Sequence, residues 1–111
     1  MLIQIRTIVV QSGHADKVVE RFSQPGHIET MKGLIDRTVM VNKRNKDSEE
    51  VVAMIRWESE EAWKNWEKDP VHIAGHKAAR NDEKPSYLIR STVKMYDVKT
   101  VRPGTYDQQG E

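Results

Sequence analysis

From Leu2 to Val10 apolar and polar residues alternate, with Ile3, Ile5 and Val9 on one face and Gln4, Arg6 and Ile8 on the other, until Ser12-Gly13 breaks the pattern. A period of two sends successive side chains to opposite faces of a pleated chain, so this β-branched stretch predicts a first strand. The period then changes. Between His14 and Ser23, the residues Ala15, Val18, Val19 and Phe22 recur at spacings of three and four and form one apolar helical stripe, which Pro25-Gly26 ends. His27 to Lys32 leaves room for a helical turn before Gly33. Leu34 to Lys43 and Glu50 to Trp57 read as the second and third strands, and the polar turn Asn45-Lys46-Asp47-Ser48 between them predicts an antiparallel hairpin.

Ser59 is suited to cap a second helix, because Glu60 and Glu61 fall in its first turn, where carboxylates complement the helix dipole. Ala62, Trp63 and Trp66 give that helix its apolar stripe. Asp69-Pro70 ends or kinks it and starts a third helix that runs to about Arg80, since Asp can cap and Pro at the first helical position loses no needed hydrogen bond. Asn81 to Ser86 is a polar linker. Tyr87 to Val98 returns to β-branched alternation, with Ile89, Val93 and Met95 on one face, and predicts a fourth strand.

The order strand, helix, strand, strand, helices, strand is the split βαβ arrangement of an α+β, ferredoxin-like domain with a four-stranded antiparallel sheet. Helices are expected over one face. The other face also carries apolar side chains, and a sheet apolar on both sides in so short a chain predicts burial by a second copy, that is, a symmetric homodimer. The domain is expected over residues 1–98, followed by a loose polar tail over 99–111 that contains Pro103 and Gly104.

Composition narrows the chemistry. At 111 residues and 12.9 kDa the chain can bury one core, which argues against a two-domain enzyme. It has no cysteine, which removes disulfides, thiolate zinc sites, iron–sulfur clusters and a cysteine nucleophile. A formal charge of +1 lacks the basic excess of a phosphate-tracking surface, so no nucleic-acid partner is expected. No apolar run approaches the roughly 18 residues of a membrane span, and the N-terminus lacks a signal-peptide pattern. These features lead us to expect a cytoplasmic protein with no membrane partner.

Walker, GxGxxG, GxSxG and HExxH motifs are absent from the sequence. Attention falls on Trp63 to Arg80, where two of the three Trp and two of the four His gather. His72 and His76 are one helical turn apart and share a face, as ordinary surface histidines or as half of a metal site that lacks an evident third ligand. Ala74-Gly75 and Ala78-Ala79 keep the surface around His76 free of large side chains, which suits either close helix packing or the approach of a flat ligand. From spacing alone, Trp57, Trp66 and Phe22 are equally readable as core aromatics.

Glu20-Arg21-Phe22, Ile28-Glu29-Thr30 with Gly33, the strand-ending Trp57, Trp66 and His76-Lys77 together resemble the IsdG-type haem-degrading monooxygenases, within the antibiotic-biosynthesis-monooxygenase superfamily. The resemblance spans about residues 1–98. It implies a homodimer whose sheets form an α/β barrel, with haem as both cofactor and substrate, O2 activated at the reduced iron, and electrons from an external reductase. It also implies ring opening with release of iron. His76 takes the position of the axial iron ligand, Trp66 that of the distal wall that buckles the ring, and Phe22 that of a pocket-lining aromatic. At the position of a strand-one Asn the sequence carries Arg6, which is longer, charged and donor-only. Arg6 is compatible with stabilising oxygen at the iron, with reaching a haem propionate, or with merely filling the site, and Gln4 is a neighbouring amide that could do the Asn's job. The resemblance therefore leaves two alternatives to haem degradation: a non-catalytic haem-binding or stress protein, and a cofactor-free oxygenase of a phenolic or quinone-like substrate.

Overall fold

β1 (Leu2–Gln11) lies inside a four-stranded antiparallel sheet, paired on one side with β3 (Ser48–Trp57) and on the other with β4 (Leu88–Asp97), while β2 (Leu34–Asn42) extends the sheet beyond β3. This computed structural model describes residues 1–43, 45–80 and 82–106. Three helices, α1 (Ala15–Phe22), α2 (Glu60–Lys68) and α3 (Pro70–Ala79), and a 3-10 turn at His27–Thr30 complete the order. The split βαβ expectation therefore holds, with helix and strand ends within two residues of those read from periodicity. The sheet of one chain is open, with β2 and β4 as its edges. Residues 99–106 of the expected tail carry no helix or strand, and 107–111 lie outside the described residues, as does Asn81 of the expected linker.

The helices cover the face that carries Ile8 and Val10. There Ile8, Val10, Ala15, Val18 and Val51 form one buried cluster, and Leu2, Ile28, Trp57 and Ala62 form another. Trp57 closes the second cluster with no exposed surface. On the opposite face Ile3, Ile5, Val52 and Met54 stay half-buried and Met40 and Tyr96 are exposed, because no helix lies over them. β4 departs from the simple alternation. Its register shifts beside Val9 and Val10, at Ile89, and Val93 and Met95 sit opposite Arg6 and Gln4 on the helix-facing side yet remain exposed, since the helices do not reach this edge.

Two local devices set the helices in place. Glu49, buried on β3, accepts hydrogen bonds from the backbone N–H of Gly13 (2.8 Å) and Ala15 (3.1 Å), so the start of α1 is capped from across the chain, whereas His14 makes no side-chain cap. These bonds, led by that from Ala15, hold the Glu49 carboxyl below the usual glutamate range against the opposing effect of burial. Gly33 turns the chain into β2 at φ +92°, and a Cβ there would lie 2.6 Å from that of Ala62, so both backbone and packing demand glycine.

Candidate functional site

The two apolar clusters do not meet over the middle of β1. Between them a cleft of about 300 Å³ opens above Gln4, Arg6, Ala53 and Ile55, with Phe22 from α1 on one wall and Trp66, His72 and His76 from α2 and α3 on the other. His27, Ile28 and Arg37 close its near end. A second cavity, of about 540 Å³, adjoins the first at Arg6 and is walled by Ile8, Val18, Arg21, Ala79 and Tyr87. The sequence-predicted residues Arg6, Phe22, Trp66 and His76 thus come from four elements to one cleft, and Gln4 joins them. Phe22 belongs to the wall and also packs on the first cluster, so its two readings are compatible.

Arg6 is half-buried by the fold and, among the described residues, its guanidinium has no hydrogen bond or ion pair. Burial lowers its pKa, and the nearby positive charge of Arg21 lowers it further, so the fold holds a cation that no hydrogen bond or ion pair among the described residues compensates. An anionic ligand would complement it.

The aromatic wall is layered. Trp66 stacks on His72 at 3.8 Å between centroids and 12° between planes, and its more distant ring neighbours are His27 at 6.1 Å and the buried Trp57 at 6.5 Å. Nδ1 of His72 lies 2.9 Å from the carbonyl oxygen of Trp66, and Nε2 of His72 lies 2.8 Å from Nε2 of His76, the residue one turn further along α3. Trp66 is packed against the second cluster as well, so it is both core and wall.

Local sequence explains why this wall stands where it does. Oγ of Ser59 accepts the N–H of Ala62 at 3.1 Å and starts α2, and Oδ2 of Asp69 accepts the N–H groups of Val71 and His72, each at 3.1 Å, to start α3 behind Pro70. Nε2 of His27 lies 2.8 Å from the same oxygen and ties the 3-10 turn to α3. Burial raises the pKa of Asp69, but the bond from His72 N and the charge of His27 outweigh it, and the carboxyl sits below its ordinary value. His27 and Arg37 went unread in the sequence. The Asp69 cap signal was legible, but the imidazole that joins it comes from a distant turn, and no local pattern records that pairing. α3 itself buries none of its residues, so His76 stands exposed on the cleft wall. Among the described residues no group of three or more His, Cys, Asp or Glu is placed to hold a bare metal ion, and no helix is long and apolar enough to cross a membrane.

The chain is similar to the haem-degrading monooxygenase HmoA of Bacillus subtilis, with 55% identity over 108 residues that cover 97% of this chain and all of that protein. A haem-degrading monooxygenase of Halalkalibacterium halodurans is 31% identical over 92% of this chain and 85% of its own. Among solved structures, a Bacillus cereus protein assigned to the antibiotic biosynthesis monooxygenases superposes with a TM-score of 0.80 at 43% identity, covering 93% of this chain and 97% of that one. The haem degrader MhuD of Mycobacterium tuberculosis, solved with two haems in its active site, shares the fold at a TM-score of 0.65 and 21% identity, over 93% of this chain and 100% of its own. The antibiotic biosynthesis monooxygenase family matches residues 1–78. With that match over most of its length and relatives this similar, the chain belongs to the antibiotic biosynthesis monooxygenase family.

Proposed function

We propose that the protein is a haem-degrading monooxygenase that uses the cleft between the two clusters. The observation that carries the reading is the meeting, in that cleft, of an accessible imidazole, a stacked indole wall and an uncompensated guanidinium. Each answers a part of haem: a nitrogen donor for iron, an apolar face for the macrocycle, and a cation for a propionate. The similarity to HmoA over nearly the whole chain supports the same reading.

In this arrangement a ring nitrogen of His76 would hold the iron from the exposed α3 side of the cleft. Trp66 cannot retreat from a ligand, because His72 backs one side of its ring and Trp57 stands behind it, so a planar molecule pressed against it must itself bend. Phe22 on the opposite wall and Ile28 at the near end exclude water. Arg6 meets an acidic group of the ligand and gains the partner that the fold withholds. Bound haem supplies the iron at which O2 is activated and the porphyrin that is oxidised, with electrons from an external reductase and release of iron at ring opening. Residues 1–98 form the catalytic domain, residues 99–111 a polar tail, and the compartment is the cytoplasm.

The test is a haem titration followed by visible absorption during aerobic reduction with ascorbate, with catalase present to remove free peroxide. Loss of the Soret band with release of chelatable iron is expected, and His76→Ala should abolish ordered iron ligation while the protein stays folded. Tight binding with a stable spectrum would instead make it a haem carrier, and absence of saturable binding would make it a cofactor-free oxygenase.

A further inference from the structure

We propose that His72 is a positioning residue that latches the iron-binding nitrogen of His76 in the haem-free protein, so that haem capture has to open a histidine–histidine hydrogen bond. The inference rests on the reading of His76 as axial ligand. Its basis is the bonding on either side of the His72 ring. A carbonyl oxygen can only accept, so the 2.9 Å contact between His72 Nδ1 and the Trp66 carbonyl places the ring hydrogen of His72 on Nδ1. A neutral imidazole with its hydrogen there has a bare lone pair at Nε2. That lone pair faces His76 Nε2 at 2.8 Å, so the hydrogen between the two rings belongs to His76.

This tautomer of His76 has its hydrogen on Nε2, and a nitrogen that carries a hydrogen has no lone pair to give to iron, so once the latch opens that hydrogen passes through solvent to Nδ1 and frees Nε2. The two halves of the latch differ in freedom. His72 is fixed by three contacts: its stack on Trp66, its Nδ1 bond, and its backbone N–H, which donates to Asp69. His76 is exposed on α3, so solvent is open to its ring. His72 is therefore a fixed post, and His76 is the arm that swings away from it.

A bond of this kind contributes little net free energy in water, so the latch should slow and weaken capture modestly, by about three- to tenfold. His72→Phe keeps a ring to stack on Trp66 and removes both nitrogens. With ferric protoporphyrin IX as probe, stopped-flow association to His72→Phe should be about three- to tenfold faster than to the unsubstituted protein, with the same final spectrum. Equal or slower association, or loss of that spectrum, would overturn the latch. Nitrogen-15 NMR of the haem-free, unsubstituted protein at alkaline pH supplies a readout independent of any variant's folding. It should find the ring hydrogen of His72 on Nδ1 and that of His76 on Nε2, and His72 with its hydrogen on Nε2 would refute the proposal. His76→Ala separates the two levels: if it keeps the unsubstituted haem spectrum, the axial assignment falls and the latch with it, whereas if that spectrum is lost while His72→Phe binds no faster, only the latch falls.

Discussion

Arg6 shows most clearly how a single residue can work against the fold, and on the proposed reading for the site. A half-buried guanidinium without an acceptor weakens the folded state, because desolvation is not repaid by a bond. The haem-free Arg6→Leu variant should therefore unfold at higher urea, with a gain of up to about 1 kcal/mol. Its haem affinity should fall about ten- to a hundredfold, the worth of a charge-assisted hydrogen bond. Parallel urea melts and Soret titrations check the two halves, and unchanged haem affinity would show that Arg6 only fills space. The sequence made Arg6 conspicuous as a departure from the family's Asn. That it lacks a partner, and lines both cavities, depends on which side chains the fold brings near it.

Elements here are fixed at their ends by side chains, some local and some remote. Ser59 and Asp69 cap the helices that follow them directly, and both caps were legible in the sequence. The cap of α1 was not, because its acceptor is Glu49 on β3. Since folding lowers the Glu49 pKa, the stabilisation from that carboxylate is present above the ordinary glutamate value, about 4.3, and is lost as the pH falls through the lower folded value. Urea midpoints measured from pH 7 down to pH 3 should therefore drop more steeply for the unsubstituted protein than for Glu49→Gln, whose amide oxygen accepts the same bonds without titrating. Parallel slopes would mean that Glu49 does not govern this part of the acid response.

At the scale of the whole molecule the sheet has one face under helices and one without a cover. Ile3, Ile5, Val52, Met54 and Met40 form the uncovered apolar area, and a second copy of the chain is our proposed cover, with the two sheets then closing the expected barrel. Sedimentation velocity should find a dimer, and Met40→Lys with Met54→Lys should raise its dissociation constant at least about a hundredfold, since each buried side chain of this size contributes roughly 1.5–3 kcal/mol. An unsubstituted protein that sediments as a monomer would refute this assembly.

The sequence by itself determined the number, order and type of the elements, the αα break at Asp69-Pro70 and the alternating faces of the strands, because periodicity and capping act over a few residues. It also brought Trp66, His72 and His76 to notice by their clustering, and set His72 and His76 one turn apart on a single helix, a spacing that holds in any fold. Only the tertiary structure decided that the core divides into two clusters, that the gap between them falls over Arg6, and that His27 reaches Asp69. Those outcomes depend on contacts between elements distant along the chain, and a cavity in particular is set by where side chains fail to meet, which no local pattern encodes.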